Sequence, residues 1–161
     1  MLMEVILICA IIAIVLFVAA FLTKRRFGLL GLALAAGSIL SSVWGDDLGM
    51  VASGFGLPQG PMTSAIVLAA IIMLPPFVLL FHGYTYKSHI ARVAGAAMFT
   101  ILAFAFLIEP LGHILVLTGT GANVYDWLVN NRTLIIGAGL ILAVFDLFLT
   151  KPVHMLEKKK H

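Results

Sequence analysis

Asp146 is the carboxylate of this chain that sits within a long apolar stretch, and it is the first residue to weigh for chemistry. At the centre of a spanning helix an acid costs about 2.5–3.5 kcal/mol on insertion scales, so one kept there marks an ion path or proton relay by default. Asp146 is not central. At 1.5 Å of rise per residue it lies about 6 Å from the end of its stretch at Thr150. From that depth it reaches headgroup water or pairs with Lys151, Lys87 or Arg92. It therefore reads first as an interfacial anchor and second as an ion-path residue. Glu109, directly before Pro110, stands at the opposite boundary and reads as interfacial. Pro75 and Pro76 lie inside another apolar stretch. Each removes a backbone donor and clashes with the carbonyl four residues back, here Ile71 and Ile72, so a kink is expected. Such a kink serves as a packing feature, with a hinge or a carbonyl cation site as the alternative.

The remaining reactive residue types form no recognisable site. His82, His89, His113, His154 and His161 include no pair four apart on one helix, so the metalloprotease arrangement is missing. The sequence holds no Gly-x-Ser-x-Gly, no phosphate-cradling glycine loop and no Cys–His pairing. We expect no catalytic residues, no metal and no cofactor. The single Cys9 rules out a disulfide framework and behaves as a small hydrophobe. The triplet Asn131-Arg132-Thr133 matches a glycosylation acceptor but abuts an apolar stretch and is expected to be unused. The net charge of +3 is distributed among loops rather than gathered on one face, which argues against nucleic acid.

The elements that hold these residues are apolar. Hydrophobic residues make up 62% of the chain and charged ones 11%, against about 25% charged in a soluble domain. Five apolar stretches run near 5–22, 27–44, 63–81, 88–108 and 133–150. A helix of about 20 such residues crosses a bilayer core of about 30 Å. The expected fold is an all-α, polytopic bundle of five transmembrane helices forming a single domain over 1–150, with a basic tail over 151–161.

The basic residues orient the bundle. Lys24, Arg25, Arg26, Lys87, Arg92, Lys151, Lys158, Lys159 and Lys160 fall on one side of a five-span chain, and Arg132 alone on the other. Short loops rich in Lys and Arg stay cytoplasmic, so the N-terminus is expected outside and the C-terminus inside. Trp44, Tyr125 and Trp127 fit an outer aromatic belt, Tyr84 and Tyr86 an inner one. The first stretch lacks the basic leader of a signal peptide and is followed by the basic cluster, so it reads as a retained helix.

Small residues suggest how the helices meet. Helices in lipid approach through Gly, Ala and Ser. The second, fourth and fifth spans carry Gly31, Gly95 and Gly139, and are the expected centre of the bundle, with a homo-oligomer interface as the alternative use of those faces. The first span, rich in Ile, Val and Phe, is expected to face lipid. The 45–62 connection holds five glycines and two prolines among apolar residues. It reads as an interfacial loop, with a re-entrant turn as the alternative. The Lys158–Lys160 run is expected to attract anionic lipid, at about 1 kcal/mol per charge.

The order of these features resembles the colicin V production protein family of small bacterial inner-membrane proteins. A basic turn, a Gly/Ala-rich second helix and a proline-containing outer loop lead to a short basic loop and Arg92-Val93-Ala94-Gly95-Ala96-Ala97. The likeness covers roughly 5–135. Glu4 approximates the family's early acid and Lys24-Arg25-Arg26-Phe27-Gly28 its basic glycine turn, whereas Phe99 stands where a second glycine is typical, and the fifth span exceeds the family's usual four. The resemblance implies an inner-membrane accessory role in toxin export or envelope homeostasis, as a scaffold or a subunit of a membrane complex, with no catalytic residues to carry over. An oligomeric channel or small-solute transporter, with Asp146 and the Pro75-Pro76 kink near its pathway, is the alternative.

Overall fold

The structure, a computed structural model, describes residues 2–54, 56–58, 60–82, 85, 86, 88–112 and 120–149. These form α1 (Leu2–Thr23), α2 (Phe27–Trp44), α3 (Leu48–Gly54), α4 (Pro61–Phe81), α5 (His89–Gly112) and α6 (Thr120–Phe148), with a 3₁₀ turn over Gly45–Asp47. The described residues contain no strand, only an isolated bridge between Arg25 and Thr85. Four helical segments, Phe27–Trp44, Pro61–Phe81, His89–Pro110 and Tyr125–Phe148, are long and apolar enough to cross a membrane. Lys158–Lys160 and Lys151 lie outside the described residues.

α2 and α5 form the centre. Their side chains Phe27, Leu30, Leu34, Phe99, Leu102, Ala103 and Phe106 are buried together, joined by Ile72 and Leu80 of α4. α1, α4 and α6 pack around this pair. α6 thus meets both α2 and α5 but sits at the rim rather than the centre, because Ala143 is its one buried residue among those described. α1 packs through Ala20, Leu16, Phe17 and Phe21, while Leu7, Ile11, Ile14, Val15, Val18 and Leu22 face outward.

Glycines set the closest approaches. A Cβ on Gly37 of α2 would collide with the Ile72 carbonyl oxygen of α4. Pro76, fully buried four residues on, has no N–H to offer that carbonyl. α4 continues through both prolines, and the α2 backbone covers the carbonyl that Pro76 leaves without its helical donor. A membrane helix tolerates proline where a neighbouring helix covers the freed group in this way. Gly31 lies against Ala143 and Leu102, and Gly139 against Leu102, so these two line the seams among α2, α5 and α6. Gly95 differs from its expected helix–helix place: its neighbour is the Tyr86 ring, 2.6 Å from where a Cβ would stand. Tyr86, of the α4–α5 connection, fills that notch.

Two connections are more helical than their composition suggests. Within 45–62 the chain forms α3, which packs on α4 and buries Ala52. α6 begins at Thr120 rather than near 133, so its polar first turns extend the apolar part.

Candidate functional site

The end of the bundle where α1, α4 and α6 finish and α2 and α5 begin gathers most of the described cations. It starts from the turn after α1. Lys24 has a φ of 57°, a left-handed conformation that costs a non-glycine residue on the order of 1 kcal/mol. Backbone bonds hold it on both sides, Lys24 N–H to the Phe21 carbonyl at 3.3 Å and Tyr86 N–H to the Lys24 carbonyl at 2.8 Å. Arg26 then takes the N-cap position of α2 with extended backbone, and its side chain makes no capping bond. The first N–H groups of a helix have no partners within it, so α2 needs acceptors from elsewhere.

Other elements supply them. The Gly28 N–H donates to Asp146 Oδ2 at 2.9 Å, and the Phe27 N–H donates to the Tyr86 hydroxyl at 3.1 Å. The Tyr86 hydroxyl also lies within the electrostatic reach of the Asp146 carboxylate. Arg26 Nη2 lies 3.8 Å from Asp146 Oδ1, both side chains being 16% exposed, and the Arg26 guanidinium stands 5.3 Å from the Tyr86 ring centre. Asp146 reaches the Gly28 N–H because a Cβ at Gly28 would meet the Ala143 carbonyl, so only glycine lets α6 come this near. Burial pushes the Tyr86 phenol up to about 12, and the Asp146 charge adds to the rise while the Phe27 N–H and Arg26 oppose it.

The same exchange occurs at the helix C-termini. Arg25 Nε and Nη2 donate to the Leu80 and Phe81 carbonyls at the end of α4, at 2.8 and 2.6 Å. Arg92 Nη2 donates to the Phe21 carbonyl near the end of α1 at 2.9 Å, with its guanidinium 4.4 Å from the Phe21 ring centre. Arg25 and Arg92 sit at the C-termini of α4 and α1 and the Asp146 carboxylate at the N-terminus of α2, the favourable sense for the dipoles of those three helices. Three described helix ends are therefore capped by residues from other elements.

Asp146 has an arginine of the basic end for a partner, but the partner is Arg26 and not Arg92. Arg92 is engaged with α1, and α6 runs beside the start of α2. Lys87 and Lys151 lie outside the described residues. Glu109 pairs with Arg132 at the far end, 2.6 Å apart, with side chains 62% and 30% exposed. Pro75 is half-buried and Pro76 buried, both on α4 and away from this cluster. Sequence reasoning missed Gly28, Arg26 and Tyr86 as neighbours of Asp146. A signal existed: α2 opens on Arg-Phe-Gly with no Ser, Thr, Asp or Asn to cap it, so an outside acceptor was required. Among the described residues no three His, Cys, Asp or Glu side chains are grouped to hold a metal. No family model, curated protein or solved structure matches this chain.

Proposed function

We propose that this is a non-enzymatic integral membrane protein of the bacterial inner membrane, acting as a scaffold or accessory subunit of an envelope assembly. The observation that carries the reading is the engagement of Asp146. Its carboxylate accepts from the Gly28 N–H and faces Arg26, so the acid that could have served an ion path is occupied in joining α6 to α2. The resemblance to the colicin V production proteins adds toxin export or envelope homeostasis as the setting. α1, helical over Leu2–Thr23, is the fifth crossing in this reading. The bundle lies with its N-terminus outside and its basic end and tail against the inner leaflet, on the strength of the partition of Lys and Arg.

Purification of the tagged protein from its native membrane with a stoichiometric membrane partner is the expected result. In parallel, proteoliposomes carrying the protein should pass ions and small solutes no faster than empty vesicles. Flux that disappears in a folded Asp146→Asn variant would replace this reading with the transporter one. Labelling of a cysteine placed at position 25 from outside intact cells would reverse the orientation.

A further inference from the structure

α6 is packed on one side only. Its apolar stretch over Tyr125–Phe148 has 6% of its residues buried, against 28–44% for the other three candidate spans. Arg132, Gly139, Ala143 and Asp146 face α5 and α2. The opposite side repeats every seven residues. Trp127, Leu134, Ile141 and Phe148 stand one above another there, 60–83% exposed. Beside them Asn123, Asn130, Gly137 and Val144 form a second exposed row. The two rows alternate at spacings of three and four, a large apolar residue against a smaller one, which is the seam along which two helices coil left-handedly.

α1 shows a surface suited to acyl chains alone: its outward Leu7, Ile11, Ile14, Val18 and Leu22 hold a similar spacing without one polar side chain. The α6 seam differs by its amides. Asn130 lies five residues, about 7.5 Å, inside the apolar stretch that begins at Tyr125. Asn131 gives its amide to the Trp127 carbonyl at 2.8 Å, whereas Asn123 and Asn130 have no side-chain partner among the described residues. Hydrocarbon offers an amide nothing, and a hydrogen bond across to another helix satisfies it. The same chemistry selects the occupant. An amide both donates and accepts, so Asn130 complements its own copy across a two-fold axis. Neither row holds a charged residue, so two copies bring no like charges together.

We propose that the outer seam of α6 binds a second copy of this chain, the two α6 helices running parallel with their Asn130 amides bonded to each other. Gly137 leaves slack in the seam rather than a close contact, since helices pack about 8–10 Å apart and a methyl fits there. The inference rests on the membrane reading of the chain but not on its accessory role. A monomer held by another membrane protein would overturn the pairing and leave that role standing.

The test places one cysteine at a time in a Cys9→Ala background and oxidises native membranes with copper phenanthroline. Ile141→Cys should give a disulfide-linked dimer of the chain. Leu142→Cys should give little, although Leu142 is also open, at 48% exposed, because it points about 100° round the helix from Ile141. Native mass spectrometry of the full chain in neutral detergent should show the dimer. Asn130→Leu should weaken its association about fivefold, while Asn130→Gln, which still donates and accepts, should keep most of it. Equal linkage at 141 and 142 would mean chance collision in lipid, and a monomer throughout would mean that acyl chains cover the seam. Linkage of position 141 to a different protein would give the seam to that protein. Each of these three results overturns the proposal.

Discussion

The two ends of the bundle both carry charged side chains and use them in opposite ways. At the basic end, Arg25, Tyr86, Arg92 and Asp146 reach across to the termini of other helices, and Arg26 pairs with Asp146. At the other end, Glu109 and Arg132 pair with each other, and the acid is mostly in solvent. Charges that orient a chain by the positive-inside rule need do nothing more than stay wet. Here two arginines, Arg25 and Arg92, also close hydrogen bonds that the helices require. The same residues can thus carry topology and packing at once, and the basic end should be far more sensitive to substitution than the far end.

Asp146→Leu is the harshest way to break that contrast. It leaves the Gly28 N–H without an acceptor and Arg26 without its counter-charge, for a loss of about 3 kcal/mol, read as a lowered midpoint of thermal unfolding in neutral detergent. Asp146→Asn keeps an amide oxygen for the Gly28 N–H and should lose only about 1 kcal/mol. Equal losses in the two variants would mean that charge alone matters and the capping bond does not.

Gly37→Ala tests whether the middle of the bundle is as unyielding as its basic end. The new methyl would meet the Ile72 carbonyl, a backbone atom that cannot rotate aside, and overpacking of this kind costs about 2 kcal/mol. Gly137→Ala, where nothing stands within 4 Å of the added methyl, is the matched control and should be neutral or slightly stabilising.

How much of this could be read from the chain follows the range of the interactions. α2 spans Phe27–Trp44, the stretch its apolar run marks, because local hydrophobicity bounded by charge fixes such an element. Gly31 and Gly139 line helix seams because small residues at helical spacing permit close approach. Gly95 carries the same signal but receives an aromatic ring from a loop, a choice that spacing cannot express. The partner of Asp146 depends on how α6 slides along α2, and no local pattern encodes that register. The early start of α6 was hidden by Asn123, Asp126, Asn130 and Asn131, which lower the apolar signal without stopping the helix.

Tyr86→Phe gives a smaller effect with a distinctive pH signature. Removing the hydroxyl takes an acceptor from the Phe27 N–H and should cost about 1 kcal/mol near neutrality. The folded phenol titrates at about 12, above the ordinary value of about 10. A raised folded value means the unfolded chain loses its proton first. The contribution of this group is therefore complete below pH 10 and falls away between about pH 10 and 12. Measured against the native protein, Tyr86→Phe should close part of its stability gap across that window. A gap that stays constant from pH 8 to 12 would place the phenol outside the packed cluster.

Glu109→Gln should have the smallest effect, and its smallness is the point. The ion pair with Arg132 is short, but the glutamate side chain is 62% exposed, and solvent-exposed pairs contribute about 0–1 kcal/mol because water and salt screen them. The amide still accepts a hydrogen bond from Arg132, so a loss of about 0.5 kcal/mol or less is expected. Raising salt to about 1 M, where the screening length is about 3 Å, should erase even that difference. The Asp146→Leu loss should persist at the same salt, since the Gly28 N–H is left unpaired whatever the ionic strength. A Glu109→Gln effect as large as the Asp146 one, and equally resistant to salt, would mean that the far end is locked as tightly as the basic end.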